Sequence, residues 1–175
     1  IVFSKERNTK EAKRIIEAIE VTHNTPDFYL LKSQIAQFER NEKEEKENRD
    51  AYFSMLQKNN YGAMYNKYTI LVYADEKETA SKALEIAKIE IEHRPTPDSY
   101  DLLAWSYFNL GENKKALQIA QKHVVGKSFE PKVQYHLAMI YKSNNLATKV
   151  QPIKEELLSS LYELGPNFEK KINLL

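Results

Sequence analysis

One stretch of this chain returns on itself at a fixed spacing, and that recurrence narrows the available folds more than any other feature. Pro97, Leu103, Ala104 and Tyr107 reappear as Pro131, Leu137, Ala138 and Tyr141. In the other direction, KALQIA at 115–120 is preceded by KALEIA at 82–87. Two periods further back, TPDSY at 96–100 is matched by TPDFY at 25–29, and Ala83 and Ile86 by Ala12 and Ile15. These three shifts agree on one period, about 34 residues, the length of a helical supersecondary unit. A unit of that size cannot bury its apolar side alone, so it must stack on its neighbours.

The clearest copy runs from Pro97 to Val125 and reads as two amphipathic helices meeting across a glycine turn. Tyr100, Leu103, Ala104 and Tyr107 fall at i, i+3, i+4 and i+7, one face of a helix. Gly111 ends it, where a residue free to take positive φ is wanted. The second helix carries Ala116, Leu117, Ile119 and Ala120. Small Ala104 opposite small Ala116 and Ala120 lets the two backbones approach closely. The spacing Tyr-x2-Leu-Ala-x2-Tyr followed by Ala-x3-Ala resembles the tetratricopeptide repeat. That resemblance implies an all-α chain, a right-handed superhelical α-solenoid of about four to five antiparallel helix pairs. About ten helices and no strand are expected over a single repeat domain, 1–175, with a truncated first repeat.

Taken along the chain, Ile1–Ser4 reads as the end of a first-type helix, and Asn8-Thr9 caps a second-type helix that runs to about Thr22. Pro26 opens the next helix, with Tyr29, Ser33, Ala36 and Arg40 as its stripe. The run NEKEEKENRD at 41–50 reads as the solvated opening of a helix laced with Glu–Lys pairs. Two frames compete in the third copy, one through Tyr65, Tyr68, Thr69 and Val72, the other through Ile70 and Tyr73. Its second helix is expected over Lys77–Glu92. Pro152 is placed in an opening turn, with a helix continuing through Leu157, Leu158 and Leu161 until Gly165-Pro166. Residues 166–175 would form a terminal capping helix, Phe168, Ile172 and Leu175 inward and Lys170 and Lys171 outward.

Composition excludes more than it assigns. A net charge of +1 gives no global field to recruit nucleic acid or an acidic membrane. The absence of cysteine removes disulfide staples and thiolate metal sites. No apolar run approaches the roughly 20 residues that span a bilayer, so a soluble chain is expected, and no targeting segment is read that would assign a compartment. His23, His93, His123 and His136 form no i, i+4 pair. His123 and His136 could meet across adjacent layers, but a two-histidine zinc site would lack its other ligands. No GxSxG elbow or phosphate-cradling glycine loop is present. The expectation is of no enzyme, no cofactor and no metal.

The resemblance also implies where a partner would bind, since the first helix of each such repeat lines a concave surface. The matching positions are Asp98, Asp101, Trp105 and Phe108 in one copy, and Lys132, Tyr135, Met139 and Lys142 in the next. Gln34 and Gln37 are their counterparts in the copy that begins at Pro26. Trp105 lies off the Tyr100–Tyr107 stripe, so it is expected to stand partly open as the aromatic centre of an interaction surface. Asp98 and Asp101 would repel a terminal carboxylate, so a clamp for chaperone tails is not expected. The function so implied is a scaffold that binds a peptide or helix of another protein. The alternative is a structural repeat segment that self-associates without a separate ligand.

Overall fold

The structure is a computed structural model describing residues 1–175. It contains eleven α-helices, one short 3-10 turn and no strand. No helix is long and apolar enough to cross a membrane. Packing divides the chain into two compact units, Ile1–Tyr61 with Ser160–Lys171 and Gly62–Ser159 with Ile172–Leu175.

The first unit holds α1 (Thr9–Glu20), α2 (Pro26–Glu39) and α3 (Glu42–Lys58). Asn8 caps α1 by accepting the Glu11 amide, so the cap falls one residue before the helix that Thr9 begins. Pro26 at the first position of α2 suits a site whose N–H has no helical partner anyway. Phe3, Ala12, Ile16 and Ile35 make a small core with Phe28, Leu31 and Phe38 against it. The Phe3 and Phe38 rings meet edge to face at 5.7 Å. Arg40 does not continue the α2 stripe as expected. It takes a left-handed φ of 59°, ends the helix, and turns the chain directly into α3. The acidic run then opens α3, with Asn41 as its side-chain cap. Most of this run is exposed, but Glu44 turns back to Lys13 of α1 at 2.8 Å.

The second unit begins with a 3-10 turn (Gly62–Tyr65) and continues as α4 (Asn66–Ala74), α5 (Ala80–His93), α6 (Pro97–Asn109), α7 (Asn113–His123), α8 (Pro131–Ser143) and α9 (Ala147–Ser159). Consecutive helices pack as neighbours, and α6 also touches both α4 and α8. The core runs through Ala104, Tyr107, Ala116, Ala120, Val124, Leu137, Ala138, Ile140 and Tyr141. Ala104, Ala116, Ala120 and Ala138 are each 0% exposed, so the small residues do sit where helices touch.

The period seen in the sequence recurs as geometry. Gly111 has φ 80°, with its amide on Phe108 O and the Glu112 amide on Tyr107 O, both 2.9 Å. Asn145, one period on, has φ 59° and repeats both bonds, to Lys142 O and from the Leu146 amide to Tyr141 O. Arg40, two periods before Gly111, makes the same pair, to Gln37 O and from the Asn41 amide to Ala36 O. A second motif also recurs. Lys82 lies 5.7 Å from the Tyr73 ring centre, Lys115 4.1 Å from Tyr107 and Lys149 5.2 Å from Tyr141.

Several expected boundaries are displaced. In the third copy, Tyr65, Thr69, Ile70 and Ala74 are buried while Tyr68 is exposed, so the inner face combines parts of both frames. Helix α5 starts at Ala80 rather than Lys77, because Thr79 donates its hydroxyl to Tyr73 O and holds the preceding turn. Pro152 lies inside α9 and not in its opening turn. Its ring removes one helical bond, but Thr148 and Pro152 are both exposed, so water can solvate the carbonyl left over. The helix expected through Leu161 stops at Ser159, and a separate turn, α10 (Leu161–Leu164), precedes Gly165. Gly165 takes φ 86°, ψ 164°, a region open almost only to glycine. The terminal helix forms as α11 (Asn167–Asn173), with Ile172 buried and Lys170 exposed.

Enlarging a close contact should be costly here. Ala104→Leu or Ala138→Leu is expected to destabilise by about 1–3 kcal/mol through overpacking. Urea unfolding of each variant measures this, and unchanged midpoints in both would mean these alanines do not set the helix spacing.

Candidate functional site

The candidate positions of the second unit lie on α6 and α8, which open on the same residue but are capped differently. Each starts with proline at its first position, Pro97 or Pro131. Thr96 caps α6 by accepting the Ser99 amide at 3.2 Å. One period of the repeat then sets equivalent residues of the two helices one helix pair apart.

The structure overturns the expectation that Trp105 stands open. It is 6% exposed, and Asp101 and Tyr135 are equally enclosed at 3% and 7%. The cause is the neighbouring helix. The His136 ring of α8 lies flat on the indole, 4.0 Å between centres and 13° between planes. Phe108, one turn along α6, stacks near the same indole at 4.9 Å, and Tyr135 meets it tilted at 6.2 Å. The indole Nε1 is buried without a hydrogen-bond partner. A side chain off its own helix's inner stripe is here covered by the next layer.

Beneath the stack, His136 Nδ1 and Asp101 Oδ2 are 2.7 Å apart, both residues being 3% exposed. Burial pushes the Asp101 carboxyl above its ordinary value of 3.8. The charge and hydrogen bond of His136 pull the other way, Asp98 adds to the rise and Lys67 opposes it. The Tyr135 hydroxyl is also pushed up, first by burial and then by Asp75. The hydroxyls of this layer have other roles: Ser106 donates to Leu102 O and Ser128 to Asp98 Oδ1, each at 2.8 Å.

That last bond changes the part assigned to Asp98. It ties the α7–α8 linker to α6, and the linker is fixed from its other side by Gln134 Nε2 donating to Ser128 O at 2.8 Å. Lys142 is exposed and donates to Leu174 O. Phe108, Lys132 and Met139 are half-buried. In the first unit, Gln34 and Gln37 are exposed on α2, where Asn167 donates to Gln34 O and Gln37 reaches Glu45 Oε1 at 3.4 Å. Of the ten positions, the structure leaves Phe108, Met139, Gln34 and Gln37 as the uncharged side chains with open surface.

His136 is the residue that sequence reasoning misplaces. The sequence allows it to lie near His123 across adjacent layers, but His123 stacks on Tyr100, 3.8 Å between ring centres, and His136 pairs with Asp101. A signal is present nonetheless. His136 and Gln134 are the polar residues in the otherwise apolar stretch from Val133 to Tyr141, where a polar side chain needs a partner. Gln134 finds Ser128 O, and for His136 an acid stands one layer earlier at Asp101. No family model, curated protein or solved structure matches the chain.

Trp105→Ala is accordingly expected to act on stability. It should cost about 3–5 kcal/mol by opening a cavity in the stack. Trp105→Phe keeps an aromatic ring and removes the unsatisfied N–H, so it should cost clearly less. Denaturant unfolding of both variants separates them, and equal losses would count against the stacking account.

Proposed function

We propose that the chain is a non-enzymatic scaffold of the tetratricopeptide type, whose first-type helices bind a peptide or helix of another protein. The recurrence of one turn and one Tyr–Lys pair at the sequence period carries this reading, because it supports stacked, equivalent hairpins. Stacks of that kind expose a row of equivalent side chains from successive layers, which suits an extended or helical ligand.

The burial of Trp105 moves the expected contacts rather than removing them. Met139 occupies the Trp105 position one layer on and remains half-open, as does Phe108 beside the stack. The partner-facing set in the second unit therefore becomes Phe108, Met139 and Lys132, with Trp105 and Tyr135 as the support beneath. Asp98 and Lys142 already hold other parts of the chain, so they contribute to shape more than to ligand orientation.

A random peptide library displayed against the immobilised chain supplies probes without knowledge of the natural partner. Met139→Glu should weaken the selected peptides by tenfold or more, about 1.4 kcal/mol, with a melting temperature close to the parent's. Peptides that bind both proteins equally would place the interface elsewhere. Failure to select any peptide, together with a mass that rises with concentration in sedimentation, would instead favour a self-associating repeat segment.

A further inference from the structure

The Asp101–His136 pair joins two helices that belong to different hairpins, and it is the one ion pair of the second unit with both partners almost wholly enclosed. We propose that it is a proton-dependent latch between α6 and α8, tightest while the pair carries no net charge and loosened when a rising pH strips it to a buried carboxylate.

The chemistry follows from counting protons on one short contact. With one proton beyond the neutral imidazole's own, the pair is either carboxylic acid with imidazole or carboxylate with imidazolium. Both forms are neutral overall and both place one hydrogen on the line between Oδ2 and Nδ1. Losing that proton leaves a carboxylate held by a neutral Nδ1–H. The hydrogen bond survives, but an uncompensated anion now sits in a layer that excludes water, which is costly. The latch therefore weakens without its geometry being abolished.

The surroundings decide how far that anion is relieved. On α6 itself Asp98 disfavours it, and from α4 only Lys67 favours it. On α5 the buried Glu90 is closed by an ion pair with Arg94 and a bond from Asn66. On α7 His123 is turned onto Tyr100, with Lys122 and Lys127 beside it. Behind α8, Lys149 of α9 lies over Tyr141. A carboxyl protonated more readily in the folded chain than in the unfolded one stabilises fully below its ordinary value of 3.8. That contribution is lost as pH rises through the raised value, in agreement with loosening towards alkaline pH.

Trp105 reports on this directly, being the single tryptophan and lying flat on His136. Acrylamide quenching of its fluorescence is measured from about pH 4, near the ordinary carboxylate value, to about pH 9. The parent chain should become several-fold more quenchable as pH rises, reversibly. Asp101→Asn can bond His136 through its amide without placing a charge there, so its quenching should stay flat. A flat parent, or a parent and variant that climb together, would overturn the proposal. Should Asp101→Asn fail to fold, the Asp101 carboxyl carbon is followed by NMR in the parent. Titration above the ordinary carboxylate range supports the latch, and titration at or below that range overturns it.

Discussion

Close contact between helices at alanine is the constraint on which the second unit depends. Ala104, Ala116, Ala120 and Ala138 have no exposed surface, and the core is arranged about them. Packed helices normally stand about 8–10 Å apart, the distance set by the side chains at the crossing. A methyl group there brings the backbones together and lets the larger side chains on either side interlock. Tyr107 and Tyr141 then lie along the edge of the contact, where a lysine from the following helix covers each ring. The alanine spacing and the lysine cover are thus parts of one arrangement, because the lysine reaches the ring only when the two helices are close.

The turn between paired helices is specified by conformation more than by residue type. Arginine, glycine and asparagine all occupy it, at Arg40, Gly111 and Asn145. For a residue with a β-carbon the left-handed conformation costs roughly 1–2 kcal/mol, so something must hold it. Two backbone bonds do so at each of the three sites, satisfying carbonyls that the helix end would leave open. Asparagine is legible as a glycine substitute because its short polar side chain tolerates the region. Arginine is not, and Arg40 reads instead as part of the helix stripe. Its place two periods before Gly111 is the available clue, since a repeat carries the backbone shape of a site even where the residue differs.

Periodicity in the sequence describes how each helix faces its own hairpin partner, and there it holds. The paired alanines, the proline starts and the Gly111 turn all fall where the pattern places them. It describes the next layer poorly. Trp105 lies off the inner stripe of α6, which reads as exposure if the helix is judged alone, yet α8 supplies His136 to cover it. The third copy fails for another reason. Its first helix is only nine residues long after a 3-10 turn, too short for one frame to prevail over the other. Pro152 is misplaced because proline commonly marks a helix start, a rule that gives way where the freed carbonyl faces water.

The polar pair beneath Trp105 also supplies something that apolar contacts cannot. Alanine and leucine surfaces on α6 and α8 would tolerate a slide of one turn with a gradual loss of packing, since methyl groups have no direction. Asp101 and His136 would not. A shift of one helical turn moves a side chain by about 5.4 Å, which ends a contact of 2.7 Å and leaves both groups buried and unpaired. Breaking such a buried pair on one side costs about 3–5 kcal/mol in other proteins, a large share of what usually holds a domain folded. Even where the pair adds little net stability, it separates the correct register from its neighbours. Between two helices whose facing surfaces are largely small and apolar, that is the error most in need of exclusion, and a directional bond between α6 and α8 excludes it.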